Sequence, residues 1–189
     1  MNSPDELVDT ALMFRFLSPP QGRNVVIVGF GGGVGVYSAD LCASLGLELP
    51  ALPEEVKNEL RKVWPRDAGS SLNNPVDLFG GAGKGGIEKT LEIIAARPET
   101  DFMLVHIPVY LNPAASAQLV EAYAGSLVNL ADKVNHKTVV VISFVFSEHA
   151  NQVVSGAQAS LVKAGFPVFF AMDRAINALA KFARFYDRS

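Results

Sequence analysis

Five closely spaced glycines follow a short apolar run and precede a helical pattern. The run is residues 25–28, and the cluster comprises Gly29, Gly31, Gly32, Gly33 and Gly35. A strand that is apolar on both faces is typical of a parallel sheet covered by helices. Glycine adopts positive φ angles and lets a ligand or another backbone approach closely. A helix that begins there directs N–H groups and a partial positive charge toward phosphate or carboxylate. The pattern therefore predicts an anion site at the carboxyl edge of an α/β sheet.

An unusual tetrapeptide, Asn74-Pro75-Val76-Asp77, begins the second predicted strand. Structurally, Asn and Asp beside proline form an Asx-turn that leads into a strand, which is a sufficient reason for their presence. Functionally, neighbouring parallel strands end at the same edge of a sheet, so Asn74 and Asp77 would lie near the glycine cluster. The residues alone leave both interpretations open.

Neither glycine-rich segment matches a nucleotide-binding fingerprint. In the first cluster, Val34 or Val36 stands where a Gly-x-Gly-x-x-Gly motif requires its last glycine, and the second predicted strand ends in Leu78-Phe79 rather than in an acidic residue. In the second segment, residues 80–86, Lys84 is followed by glycine where a Walker A motif requires Ser or Thr. This second segment is either a flexible strand-to-helix connection or a backbone lining for an anion.

Side chains that commonly catalyse reactions or bind metals are scarce. The three histidines, His106, His136 and His149, do not have the spacing of a metal site. His106 ends a strand at the expected functional edge, where a hydrogen-bonded, non-catalytic histidine is the favoured interpretation. The single cysteine, Cys42, excludes an internal disulfide and favours simple helix packing. We therefore predict no catalytic residue and no metal ligand in this chain.

Alternating strand and helix patterns provide the scaffold for these residues. Strands are predicted at 25–28, 74–79, 102–107, 138–144 and 167–171. Helices are predicted at 34–45, 53–64, 87–97, 112–133, 147–165 and from 173 onward. This alternation indicates an α/β class with three layers, a flavodoxin-like five-stranded parallel sheet of order 2-1-3-4-5, and one extra N-terminal helix.

The extra helix precedes the first strand. Ser3, Pro4 and Glu6 form a capping-box pattern with proline at the first helical position. The predicted apolar face of this helix comprises Leu7, Ala11, Leu12 and Phe16. We expect residues 1–20 to form an N-terminal helical arm, whose apolar face must be covered, and residues 21–189 to form one domain.

Composition limits the classes of function. The chain has 189 residues, a formal net charge of -3 and no basic cluster, which argues against a nucleic-acid partner. No apolar run reaches the length of a membrane span, and residues 1–20 lack the layout of a signal peptide. A soluble, cytoplasmic protein without a membrane partner is therefore expected.

Several segments, in order along the chain, resemble one known family. Residues 24–40 are similar to its Asn-Gly-Gly-Gly-x-Gly-Val-x-x-x-Asp turn, and residues 164–169 are similar to its Ala-Gly-(Ile/Phe)-Pro-Val-(Phe/Tyr) segment. Further matches lie at residues 46–50, 53–55 and 74–77. The family is that of the NDP-forming acyl-CoA synthetases, which include ADP-forming acetate–CoA ligase and are relatives of succinyl-CoA synthetase. The resemblance covers residues 20–186, nearly the whole chain.

The resemblance implies that the chain is a succinyl-CoA ligase-like flavodoxin domain of an acid–CoA ligase. Such enzymes convert a carboxylic acid, ATP and CoA into acyl-CoA, ADP and phosphate through a phosphohistidine and an acyl phosphate. No segment of this sequence resembles the family's phosphohistidine segment, so turnover would require CoA-binding and ATP-grasp domains or subunits as partners. ATP, CoA and Mg would serve the complete enzyme, and none would bind tightly to this chain.

The resemblance also gives the candidate site a role. A phosphohistidine from another domain would be held by helix N-termini and backbone amides, and this chain offers one N-terminus after the glycine cluster and another at Asn112-Pro113. The expected phosphate- or substrate-binding residues are Gly31, Gly32, Gly33, Gly35, Asn74, Asp77 and Asn112. Two other classes stay open, namely a non-catalytic module that binds a nucleotide, CoA or flavin phosphate, and a structural assembly domain.

Overall fold

Six short segments form the central sheet. We describe residues 3–29, 31–65, 71–78, 84–109, 112–143 and 148–187 of a computed structural model. The strands are β1 (Val25–Gly29), β2 (Ser71–Leu72), β3 (Val76–Asp77), β4 (Phe102–Pro108), β5 (Thr138–Ser143) and β6 (Val168–Phe169). Their order across the sheet is β2-β3-β1-β4-β5-β6, with β2 antiparallel to β3 and all other neighbours parallel.

The sheet differs from the five-stranded, fully parallel sheet that the sequence analysis expects. The additional strand β2 lies in a segment for which no strand is predicted from the sequence, and its two residues are not buried. A two-residue strand at the edge of a sheet is too short to show a period of alternating apolar residues, so no sequence pattern marks it. The correct description is a mixed sheet of six strands, five of them mutually parallel.

Helices cover both faces of the sheet. They are α1 (Pro4–Phe16), α2 (Gly32–Ser44), α3 (Glu54–Val63), α4 (Lys84–Ala95), α5 (Pro113–Asn129), α6 (Ala131–Val134), α7 (Glu148–Lys163) and α8 (Met172–Tyr186). The single helix expected over residues 112–133 is divided at Leu130 into α5 and α6. No helix in the described part of the chain is long and apolar enough to cross a membrane.

Two separate apolar cores follow from the alternation of side chains along the strands. In β1, Val26 and Val28 pack with α3, α4, α5 and α7 on one face, whereas Val25 and Ile27 pack with α1, α2 and α8 on the other. Every residue of β1 and β4 is buried. This two-sided burial explains why these strands are continuous apolar runs rather than alternating ones.

The N-terminal helix begins as expected but buries a different face. Ser3 caps α1 by accepting a hydrogen bond from the Glu6 N–H at 3.2 Å, and Pro4 occupies the first helical position. The buried residues of α1 are Asp9, Thr10 and Met13. Leu7 and Ala11, two members of the predicted apolar face, are exposed, and Leu12 and Phe16 are only partly buried. The predicted face is therefore correct only in part, since Leu12 packs against the core whereas Leu7 and Ala11 face solvent.

Candidate functional site

The carboxyl ends of the parallel strands bring the predicted site residues to one edge of the sheet. Strand β1 ends at Gly29 and its neighbour β3 ends at Asp77, with these two residues in register. Helix α2 begins directly after β1, and α5 begins after β4, the strand on the other side of β1. The N-termini of α2 and α5, one from each helical layer, therefore lie at this edge.

The turn into α2 depends on Gly31 and Asp77. Gly31 is the N-cap residue and has a φ angle of 109°, a left-handed conformation that residues with a Cβ adopt only under strain. Its N–H donates a hydrogen bond of 3.1 Å to Oδ1 of Asp77. A Cβ atom on Gly32 would lie 3.4 Å from the other carboxylate oxygen, Oδ2. The Asp77 carboxylate thus lies against the first turn of α2, where the helix dipole favours negative charge.

The remaining N-terminal turn of α2 is open to solvent. Gly31, the N-cap residue, has no side chain that could cap the helix, and Gly32 and Gly33 are exposed. No heavy atom beyond the local backbone lies within 4 Å of the position that a Cβ on Gly33 would take. The first N–H groups of a helix have no partner within the helix. An anion can therefore approach the backbone of this turn from outside.

Strands β1 and β4 approach each other closely next to the turn. A Cβ atom on Gly29 would lie 2.8 Å from the Cβ of His106 and 3.0 Å from its carbonyl oxygen, so only glycine fits. His106 is 4% exposed, and its Nε2 lies 3.2 Å from Oγ of Ser143 at the end of β5. The hydrogen bond expected for His106 is present. Ser143, its partner, was not identified in the sequence because nothing in a strand-end serine indicates which residue it will contact.

A small cavity lies between the α2 turn and strands β1, β3 and β4. Its lining includes Gly29, Gly31, Gly35, Asp77 and His106, and its volume is about 20 Å³, which suits one water molecule. The cavity is too small for a phosphoryl group. The cavity therefore does not provide the predicted anion site.

Asn74 is engaged with the backbone of the fold. Its Oδ1 accepts the Ile27 N–H at 3.1 Å, and its Nδ2 donates to the carbonyl oxygens of Val25 at 2.7 Å and Pro50 at 3.1 Å. These bonds hold β1 against the segments on either side of α3. A direct contact between Asn74 and a ligand stays a prediction.

Asn112 caps the second helix N-terminus. Its Oδ1 accepts the Ala115 N–H at 3.2 Å, and Pro113 follows at the first helical position, as expected. The Asn112 side chain is exposed. Its binding role, like that of the glycines, stays a prediction.

Other candidate groups from the sequence lie elsewhere. Residues 80–83 of the second glycine segment and the side chain of His149 lie outside the described residues. His136 belongs to a turn that precedes β5, and burial is the main cause that lowers its pKa, followed by the charge of Lys137. Among the described residues, no group of three or more His, Cys, Asp or Glu side chains is arranged to hold a metal ion.

One feature beside the site was missed in the sequence analysis. Helix α2 exposes Val34, Val36 and Tyr37 to solvent in the two turns that follow its N-terminus. The signal is visible in the sequence, since α2 contains no charged residue before Asp40. Exposed apolar residues next to a candidate site are typical of a surface that another protein covers.

Comparisons with known proteins find a matching family and similar proteins. A family model described as the Ligase-CoA domain matches residues 25–127. Acetate–CoA ligase [ADP-forming] I of Archaeoglobus fulgidus is 28% identical over 184 residues, which are 97% of this chain and 24% of that protein. The alpha subunit of acetate–CoA ligase [ADP-forming] I from Pyrococcus furiosus is 30% identical over 177 residues, which are 93% of this chain and 35% of the subunit. The chain thus spans about a quarter to a third of these relatives.

Solved structures share the fold. A protein from Pyrococcus horikoshii OT3 aligns with a TM-score of 0.76 and 24% identity over 97% of this chain and 41% of its own. The apo form of a dinucleotide forming acetyl-coenzyme A synthetase 1 from Ca. Korarchaeum cryptofilum aligns with a TM-score of 0.74 and 21% identity over 100% of this chain and 38% of its own. Because the family model matches more than half of the residues and includes β1, the glycine turn and α2, this chain belongs to the Ligase-CoA domain family.

Proposed function

We propose that this chain is the ligase-CoA module of an ADP-forming acid–CoA ligase. The complete enzyme would convert a carboxylic acid, ATP and CoA into acyl-CoA, ADP and phosphate through a phosphohistidine and an acyl phosphate, with Mg as a cofactor. This module supplies backbone groups that bind an anion, and it supplies no covalent catalyst. CoA-binding and ATP-grasp domains, in the same chain or in partner subunits, supply the rest.

The open N-terminal turn of α2 carries this proposal. Gly32 and Gly33 present their backbone to solvent beside Gly31, whose own N–H is already bonded to Asp77. A phosphoryl group above this turn would accept hydrogen bonds from helix N–H groups and would interact favourably with the helix dipole. The N-terminus of α5, capped by Asn112, adds a second dipole at the same edge.

The small binding free energy of an anion at one helix terminus explains why such a module would act only with partners. One exposed helix terminus favours an anion by about 0.3–1 kcal/mol, which is about a 2- to 5-fold gain in affinity. Asp77 opposes part of this gain, because its carboxylate already lies at the terminus of α2. We assign Asp77 the role of holding the turn in shape. The isolated module would therefore bind free phosphate weakly and would need another domain to deliver the phosphoryl group.

The surface next to the turn supports the need for a partner. Val36 and Tyr37 on α2 are both more than half exposed and lie within two turns of Gly33. A domain that brings a phosphohistidine to the turn would cover these side chains and exclude water from the site. Exclusion of water strengthens each electrostatic contact to the phosphoryl group.

The test uses glycine-to-alanine variants in a coupled assay with ATP, CoA and a carboxylic acid. The chain is assayed alone and then with ATP-grasp and CoA-binding partner subunits, and activity is expected only in the mixture. Gly33→Ala adds a methyl group to the exposed turn at which the phosphoryl group is proposed to bind, and we expect it to reduce this activity by about tenfold or more. Folding should not suffer, because the methyl group enters open space and alanine favours a helix.

The matched control is Gly156→Ala on α7. Gly156 is also an exposed helical glycine with open space at its Cβ position, and it lies away from the carboxyl edge. This variant should keep full activity. Equal activity of the two variants would contradict a role for the α2 turn. Turnover by the chain alone would show that one of its own histidines carries the phosphoryl group, and would overturn the proposed division of roles.

A further inference from the structure

A row of four residues crosses the carboxyl edge of the sheet on the face that α2 covers. Along β1, β4 and β5, the alternate side chains on this face belong to the apolar core shared with α1, α2 and α8. Two residues beyond the last apolar member of each strand, the same face carries Gly29, His106 and Ser143. Asp77 of β3 pairs with Gly29 and lies on this face, because its neighbour Val76 belongs to the opposite core. We call Asp77, Gly29, His106 and Ser143 the edge row.

Within the edge row, the imidazole of His106 is held in place by β5. His106 is 4% exposed, and its Nε2 lies 3.2 Å from Oγ of Ser143. Ser143 is itself fixed by strand pairing, since it is in register with Pro108 and its carbonyl oxygen accepts the Val109 N–H at 2.8 Å. The imidazole therefore keeps one position, because breaking a buried hydrogen bond costs free energy.

On the side of β1, His106 lies against the turn into α2. A Cβ atom on Gly29 would lie 2.8 Å from the Cβ of His106, so the two strands have no spare room there. His106 also lines the small cavity next to the turn, together with Gly31 and Asp77. These two residues form the 3.1 Å hydrogen bond from the Gly31 N–H to the Asp77 carboxylate. Removal of the imidazole would therefore enlarge the cavity on which this bond borders.

We infer that His106 is a positioning residue for the anion site, which its buried side chain supports without contacting the anion. Held by Ser143, the imidazole occupies the space between β4 and the turn, so that Gly31 keeps its left-handed conformation and its bond to Asp77. The open N–H groups that follow then stay directed toward the anion, and donors that are fixed in advance need no reorganisation on binding. The effect on turnover rests on the proposed function, whereas the effect on the turn can be measured without turnover.

Amide hydrogen exchange of the full 189-residue chain, followed by NMR, tests the effect on the turn. In His106→Ala, we expect the Gly31 N–H to exchange about tenfold faster, because the enlarged cavity lets its bond to Asp77 open. The matched control is Leu104→Ala, which opens a cavity on the same face of β4 but two residues farther from the turn. This control should leave exchange of the Gly31 amide unchanged at temperatures where the protein is folded.

Two milder variants give the same test if His106→Ala does not fold. Ser143→Ala removes only the hydroxyl group that holds the imidazole, and it should speed exchange of the Gly31 amide by about threefold. His106→Gln retains a polar side chain of similar size that can hydrogen-bond to Ser143, so its Gly31 amide should exchange within about twofold of the wild-type rate.

The coupled assay with partner subunits tests the effect on turnover. His106→Ala should lower kcat by about tenfold and leave KM for ATP and CoA unchanged, because those substrates are assigned to other domains. Leu104→Ala should retain kcat, and His106→Gln should recover most of it.

The two readouts separate failure of this role from failure of the proposed function. An unchanged Gly31 amide in His106→Ala, or an equal change in Leu104→Ala, would overturn the role of His106 even when Gly33→Ala abolishes activity. Full kcat in His106→Ala would also overturn it. Faster exchange of the Gly31 amide in His106→Ala together with full activity of Gly33→Ala would support the hold of His106 on the turn and would overturn the proposed function.

Discussion

Asn74 shows how a residue beside a candidate site can serve the fold. Its amide group makes three hydrogen bonds to backbone groups of Ile27, Val25 and Pro50, two of them in the strand that leads into the glycine turn. Asp77 acts more directly, since it bonds the N–H of Gly31 in the turn itself. At the residue scale, side chains thus shape the turn, and it is backbone groups that the proposed function assigns to the anion.

We predict that Asn74→Ala lowers the free energy of unfolding by about 2–4 kcal/mol, because three hydrogen bonds are lost and partly buried backbone groups keep no partner. Urea denaturation measures this change. The control is Asn129→Ala, which removes one exposed hydrogen bond to Glu88 and should change the free energy by less than about 0.5 kcal/mol. Equal effects of the two substitutions would contradict the role assigned to Asn74.

At the scale of elements, the pairing of α1 with α8 depends on charge as well as on apolar packing. Asp9 is 6% exposed, and its carboxylate accepts both hydrogen bonds from Arg174, whose side chain is about half exposed. The hydrogen bond to Asp9 is the main cause that raises the pKa of Arg174. Phe14 adds edge-to-face contacts with Phe182 and Phe185 of α8. Helix α1 is therefore held in one orientation about its own axis.

We predict that removal of the Arg174 side chain lowers the stability of the protein more than removal of the Asp9 side chain. Arg174→Ala leaves a buried carboxylate without its partner and should destabilise the protein by about 2 kcal/mol. Asp9→Ala leaves a guanidinium that reaches water and should cost about 1 kcal/mol, because solvent already screens that group. Denaturation of both single variants and the double variant gives the coupling free energy between Asp9 and Arg174, which we expect to be about 1 kcal/mol.

The exposed residue Arg61 provides the control for that cycle. It pairs with Glu54 on the surface of α3, and Arg61→Ala should change stability by less than about 0.5 kcal/mol. A cost for Asp9→Ala that exceeds that of Arg174→Ala would contradict the argument from burial.

At the scale of the whole molecule, the sheet separates two apolar cores and gathers the site at one edge. The core that contains α1, α2 and α8 includes Cys42, which is fully buried on α2. Burial raises the pKa of this thiol from 9.0 to about 12. Its reactivity therefore reports the opening of an entire helical layer rather than the motion of one side chain.

We predict that a thiol reagent such as DTNB labels Cys42 only when the protein unfolds. Ala43→Cys adds an exposed thiol at the next position of the same helix and should label at once, which provides the control. Stability should also fall as the pH rises from about 9 toward 12, since the unfolded thiol then ionises while the folded thiol stays protonated. Rapid labelling of the wild-type chain under native conditions would contradict this prediction.

Much of the architecture could be predicted because local patterns agree with the tertiary structure. The apolar runs that became β1, β4 and β5 are buried on both faces and need no alternation to be identified. Caps at Ser3 and Asn112 follow from hydrogen bonds within four residues. The antiparallel strand β2 could not be found, because two residues carry no periodic signal.

The sequence by itself determined the alternation of strands and helices, the glycine turn at the end of the first strand, and the family to which the chain belongs. These properties depend on neighbouring residues, so their signals are contained in short segments. Only the tertiary structure decided which face of α1 is buried, that Asn74 bonds β1, and that His106 lies against Gly29 and Ser143. Those contacts join residues far apart in the chain, and their energies depend on the distances and burial that packing of the sheet and helices creates.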